Sequence, residues 1–343
     1  MKAVHERSRL RLSVVAPCFN EEDSLPEFVR RMTAACELAA PGAYEIILVN
    51  DGSRDRTWAC ITALAQVNKA IVGIDLSRNH GHQLAVTAGL SWTRGERVLV
   101  IDADLQDPPE LLSQMMDRMD DGVDVVYARR RRRPSESRFK LTTAHLYYRL
   151  LRALSEVDIP ADTGDFRLMS RRIVDRLNQM PEQDRFLRGM VAWLGGSQSE
   201  LLYDREARFA GETGYTLFKM LKLAATGVTS FSTRPLRLAS FMAGVGALVA
   251  VAILIYALVQ YFSGRVAVGW TSLAVITVFF STMQLACVGI LGAYVGRIFL
   301  QVKGRPLFLI GQIIGGDLEA RPHAADGAHA VSAREDAMSG PGE

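Results

Sequence analysis

The sequence predicts an α/β protein: a Rossmann-like, mainly parallel sheet domain, then amphipathic helices at a membrane interface, then two transmembrane helices. Three observations predict it. Short apolar runs alternate with amphipathic helical patterns from residue 12 to about residue 128, as in a parallel sheet with crossover helices. Polar clusters follow four successive predicted strands, where ligands of such sheets bind. Residues 238–262 and 266–296 contain no charge, and each run exceeds the roughly 20 apolar residues that cross a bilayer as a helix.

Leu12-Ser-Val-Val-Ala16 is the first strand, and residues 24–40 carry Leu25, Phe28, Val29, Met32 and Cys36 on one helical face. Strands at 44–49, 71–76 and 97–101 enclose helices at 56–67 and 83–92, and 123–128 reads as a further strand. The pattern then loosens. Residues 129–140 are basic, 141–154 read as a helix, 161–170 as a polar link, 171–177 and 185–194 as helices, and 198–205 as a strand. Residues 216–230 set Leu217, Phe218, Met220 and Leu221 beside Lys219 and Lys222, which suits a helix lying on a membrane surface. Beyond about residue 315 the composition is that of a disordered tail. The expected organisation is a tail at 1–11, the site-bearing sheet domain at 12–200, interface helices at 201–237, a two-span hairpin at 238–300 and a final tail at 301–343.

A formal charge of +3 supplies no global field for nucleic acid. Residues 1–11 are polar and basic and do not read as a secretory leader. Lys219, Lys222, Arg234 and Arg237 precede the first span, Arg297, Lys303 and Arg305 follow the second, and the connection holds only Arg265. The positive-inside rule therefore puts both flanks, and the sheet domain, on the cytoplasmic side. Four widely spaced cysteines give no zinc or disulfide pattern. Gly244, Gly246, Gly289, Gly292 and Gly296 permit close helix approach, either between the two spans or between copies in a homo-oligomer.

The clusters are Val15-Ala-Pro-Cys-Phe-Asn-Glu-Glu22, Val49-Asn-Asp-Gly-Ser-Arg-Asp-Arg-Thr57, Leu76-Ser-Arg-Asn-His-Gly-His-Gln83 and Ile101-Asp-Ala-Asp-Leu-Gln-Asp-Pro-Pro-Glu110. Each has a bland reading alone: Ser53 or Asp55 as a helix cap, His82 as a surface histidine, Asp107 as the opening of the next helix. Four in succession at strand ends point to a site. With Gly164-Asp-Phe-Arg-Leu168 and Arg205-x-x-Arg208, they resemble the family 2 glycosyltransferases of the GT-A fold. The resemblance is to the membrane-anchored group that loads a sugar onto a polyprenyl phosphate. It covers about residues 10–310. Asn50-Asp51 stands where the family often has two acids, and the Gln-x-x-Arg-Trp signature of processive synthases is absent.

The resemblance implies inverting transfer from a nucleotide-diphosphate sugar, with UDP favoured over GDP, to polyprenyl phosphate at a lipid bilayer. It places Pro17, Glu21, Asp51, Arg78 and Asp102 around the nucleotide. Asp102, Asp104 and the Gln106 amide offer hard oxygen ligands for Mg²⁺ or Mn²⁺ on the diphosphate. The basic run supplies Arg129, Arg131 and Arg138 for the acceptor phosphate, completed by Arg205 and Arg208. Asp165 is the candidate catalytic residue: it orients the acceptor, takes a residual proton, or pairs with Arg167. The competing readings are a glycosyltransferase with another lipid or glycan acceptor, and a non-catalytic membrane scaffold of the same fold.

Overall fold

The computed structural model describes residues 10–131, 163–204, 234–263 and 269–316. The predicted interface helix at 216–230, the helix at 141–154 and the tail beyond residue 316 lie outside the described residues.

Leu12–Cys18 (β1) is buried along its whole length, as is Tyr44–Asn50 (β2). The buried Ser13 and Glu45 satisfy each other at 2.7 Å, and strands buried so completely belong to a parallel sheet covered on both faces. With Ile71–Leu76 (β3) and Arg97–Val100 (β4) they form the parallel centre of an eight-stranded sheet. Its order is β7-β5-β6-β4-β1-β2-β3-β8, where β5 is Val125–Arg130, β6 Thr163–Ser170, β7 Gln198–Tyr203 and β8 Ile310–Gly315.

Leu25–Ala39 (α1), Thr57–Val67 (α2) and Leu112–Asp120 (α4) cover one face, and their Phe28, Met32, Ile61 and Met115 pack on Val14, Leu48, Leu99 and Phe166. His82–Ser91 (α3) packs on the other face beside Arg171–Gln179 (α5), which meets Leu187–Leu194 (α6). Gly89 lets α3 sit down on the sheet: a β-carbon there would lie 2.3 Å from Val15 Cγ1.

Two strands depart from the sequence reading. The expected polar link at 161–170 is β6, inserted between β4 and β5 and antiparallel to both. Its period of two hides a strand: Phe166 and Leu168 enter the core, while Asp165 and Arg167 are buried with each other on the alternate side. The sequence reading also did not mark β8, which pairs antiparallel with β3 and closes that edge.

Arg234–Phe262 (α7) and Trp270–Val302 (α8) form a second unit and pack on each other. Ala239–Gln260 and Val275–Val302 are long and apolar enough to cross a membrane. Gly246 lies against Met283 and Phe280, whereas Gly244, Gly289, Gly292 and Gly296 face open space among the described residues.

Gly89→Ala gains helix propensity of about 1 kcal/mol but drives a methyl into Val15. Overpacking of that kind costs about 1–3 kcal/mol. Thermal melts should show Gly89→Ala below the wild type, and Val15→Ala in the same chain should recover part of the loss.

Candidate active site

The loops after β1 and β2 are laced together. Asn20 and Glu21 donate backbone N–H groups to Ser53 Oγ (3.0 Å) and Thr57 Oγ1 (2.9 Å), and Glu22 N–H donates to Asp55 Oδ2 (3.2 Å). In return, Arg54 and Arg56 N–H donate to Asn20 Oδ1 and Glu22 Oε2, both at 2.9 Å. Ser53 and Asp55 are thus ties between loops, and Asp55 also accepts from the N–H of Thr57, the first residue of α2, at 3.1 Å.

The loop after β3 folds onto the same place. Both oxygens of buried Asp51 accept backbone N–H groups, from His80 (2.7 Å) and Gly81 (2.9 Å), and the Asn79 amide donates to the Asp51 carbonyl (3.0 Å). Burial pushes the Asp51 carboxyl above its ordinary range, against the pull of those two amides. A carboxylate has about four acceptor positions, so two remain. Gly52, at φ +64°, admits this loop: a β-carbon there would sit 2.5 Å from Asn79 N.

At the end of β4, Asp102 and Asp104 are part-exposed and Gln106 is buried. Between them Leu105 adopts φ +59°, a left-handed conformation that costs a side-chain-bearing residue on the order of 1 kcal/mol or more and concentrates at functional sites. Asp107 does not cap the next helix, as the sequence reading had it. It is buried and accepts the Tyr203 hydroxyl from β7, fastening this turn to the sheet edge.

Because β6 runs against its neighbours, its beginning lies at the carboxyl edge of β4. That brings Asp165 to the site. Asp165 pairs bidentately with Arg188 on α6 (2.8 and 3.2 Å), lies 3.5 Å from Arg167, and accepts from Gln83 Nε2 at 3.1 Å. Gln83 Oε1 in turn accepts Leu187 N–H at 3.0 Å. Burial alone would raise the Asp165 carboxyl, but the charge and hydrogen bonds of Arg188, with Arg167 and His82 behind, hold it well below the carboxylate range. Burial pushes Arg167 down to about 10.

His82 is not an idle surface histidine. Its Nε2 donates to Asp102 Oδ1 at 2.8 Å and its Nδ1 lies 3.5 Å from Asp165 Oδ2, with 41% of the side chain exposed. Desolvation lowers its proton affinity, yet the hydrogen bond and charge of Asp102 and the charge of Asp165 outweigh this and lift its pKa to about 9.

Of the predicted residues, Pro17 is buried at the end of β1. Glu21 accepts from Ser24 Oγ at 2.5 Å, and Arg78 is exposed on the loop that holds Asp51. Arg129 pairs with Glu200 (2.8 Å) and Arg131 with Asp204 (3.5 Å), exposed pairs that leave guanidinium donors over. Arg138, Arg205 and Arg208 lie outside the described residues. The sequence reading passed over Gln83, Arg188 and Tyr203. Gln83 shared the strand-end signal with His82; Arg188 and Tyr203 had no local signal at all.

A family model described as "Glycosyl transferase family 2" matches residues 13–177. The chain is 42% identical to the uncharacterised glycosyltransferase YkcC of Bacillus subtilis (strain 168), across 89% of this chain and 95% of that one. It is 38% identical to the bactoprenol glucosyl transferase of Shigella phage SfX, across 88% and 99%. Among solved structures it is similar to the mannosyltransferase PcManGT from Pyrobaculum calidifontis, with TM-score 0.41 and 16% identity over 84% and 87% of the two chains. At that score the likeness carries no information on ligand or reaction.

Asp165→Asn leaves buried Arg167 without its anion and should destabilise the protein at pH 7 by about 3 kcal/mol or more. The folded pKa of Asp165 is depressed. Its contribution is therefore present above the unfolded value of about 4 and is lost as pH falls below it. The gap between melts of wild type and Asp165→Asn should begin to narrow below about pH 5 and keep narrowing as pH falls through the unfolded value of about 4 toward the depressed folded pKa. A constant gap would contradict the depressed pKa.

Proposed function

The chain belongs to glycosyl transferase family 2, and from that premise we propose that it transfers a sugar from a nucleotide-diphosphate donor, a UDP-sugar, to a polyprenyl phosphate with inversion at the anomeric carbon. One observation carries this reading. The loops after β1 to β4 and the start of β6 converge on one sheet edge, where Asp102 is joined through His82 to the Asp165–Arg188 pair and Asp104 and Gln106 follow it in the same turn.

The donor set fits a hard divalent cation. Among the described residues no three His, Cys, Asp or Glu side chains converge as a complete metal cage. Mg²⁺ is typically held by one or two carboxylates together with substrate phosphates, and Mn²⁺ accepts the same oxygen donors. The left-handed Leu105 shapes the turn between the ligand residues. When bound, the cation would neutralise the diphosphate as it leaves. Pro17, Glu21 and Asp51 bind the base and ribose, and Arg78 reaches the base or diphosphate.

The acceptor reading is supported by the relatives named as bactoprenol glucosyl transferases and by the two candidate spans. A phosphate monoester, with a second pKa near 6, already carries an oxyanion at neutral pH. No strong general base is needed, in keeping with an Asp165 committed to two arginines. Asp165 then acts by holding Arg188 and the acceptor in place, and catalysis rests on positioning and electrostatics. Arg129, Arg131, Arg138, Arg205 and Arg208 neutralise the acceptor phosphate from the cytoplasmic face of the membrane.

Membranes containing the chain, given labelled UDP-sugars, polyprenyl phosphate and Mg²⁺ or Mn²⁺, should form an acid-labile lipid-linked sugar, and chelator should abolish it. No such product with any UDP-sugar would overturn the donor–acceptor assignment. Asp104→Asn should lower turnover about a hundredfold or more with the protein still inserted. Near-normal turnover would remove Asp104 from the cation site.

A further inference from the structure

We infer that His82 is a positioning residue, a single imidazole that ties the cation-ligand carboxylate of Asp102 to the buried ion cluster around Asp165. The inference rests on the reading of Asp102, Asp104 and Gln106 as cation ligands and adds a residue which that ligand set does not contain.

Asp102 lies two residues past the end of β4, beyond the last ladder pair Val100↔Arg167. A carboxylate there has no sheet register to fix its rotamer. The one hydrogen bond given to its side chain among the described residues comes from His82 Nε2, 2.8 Å from Oδ1. Holding Oδ1 leaves Oδ2 as the oxygen for a cation.

The other side of the ring meets an anchor. Nδ1 lies 3.5 Å from Asp165 Oδ2, and Asp165 is gripped by Arg188 at 2.8 and 3.2 Å and by Gln83 at 3.1 Å. The sequence arranges this economically. Gly81, at φ +92°, turns the chain into α3 so that His82 and Gln83 are its first two residues. Gln83 fixes Asp165 and Leu187, and His82 carries that order across to Asp102. The ligand turn after β4 is thus braced from β6 and α6 as well as from its own strand. A partner behind a metal-ligating carboxylate restricts the geometries in which it can bind, and its removal typically costs about 10–100-fold in metal affinity. The ring is 41% exposed, and removing it takes no apolar side chain out of the core.

The test is a titration of Mn²⁺ by electron paramagnetic resonance, in the presence of UDP, on the full chain in detergent. His82→Ala should bind Mn²⁺ about 10–100-fold more weakly than wild type, with little change in melting temperature. It should need correspondingly more Mn²⁺ for half-maximal turnover, while turnover at saturating Mn²⁺ falls far less. His82→Gln, whose amide can still donate to Asp102, should recover most of the affinity. Wild-type affinity in His82→Ala, or His82→Gln no better than His82→Ala, overturns the inference and leaves the cation reading standing. A wild-type chain that takes up no Mn²⁺ with UDP overturns both.

Discussion

A carboxylate with almost no access to water cannot stand alone in the middle of a sheet, and the arrangement of this site follows from how Asp165 is satisfied. Its partners come from three directions: Arg167 two residues on in the same strand, Arg188 from α6, and Gln83 from the first turn of α3. Taking the anion away would leave buried Arg167 uncompensated, which is far more costly than the pairing is stabilising. The cluster therefore fixes where α3 and α6 begin relative to β6. Those helix starts carry His82 and Arg188, the two side chains that extend the cluster toward solvent.

The reversed direction of β6 is what makes the cluster useful. A parallel strand between β4 and β5 would present its last residues at the carboxyl edge; β6 presents its first, Thr163 to Asp165. One edge then collects four strand-end loops from the parallel strands and an anion from the antiparallel one. The loops hold one another through backbone-to-side-chain hydrogen bonds at Asn20, Glu22, Asp51 and Asp55. Fixed in advance, such groups lose little entropy when a nucleotide arrives.

Much of this was legible in the sequence, for local reasons. β1 to β4 and their helices announce themselves by apolar period, and the four clusters by their position after each strand. What escaped depended on distant partners. Thr163-Gly-Asp-Phe-Arg-Leu-Met-Ser170 looks like a link because a buried strand with two charges is implausible until Arg188 and Gln83 are known to meet it. β8 is six residues whose only justification is the exposed edge of β3, far away in the chain. Asp107 resembles a helix opener until Tyr203 arrives from β7. His82 looked bland for the same reason: nothing within ten residues of it explains why an imidazole should be there.

On the reading proposed above, the edge formed by Asp102, Asp104 and Gln106 holds the cation of a bound nucleotide diphosphate. Crystals grown with Mn²⁺ and UDP, measured for anomalous scattering of manganese, test it directly. An anomalous peak should lie bounded by the Asp102 and Asp104 carboxylates and the Gln106 amide, with the nucleotide against Pro17, Glu21 and Asp51. A manganese peak elsewhere, or a nucleotide bound away from that edge, would contradict it.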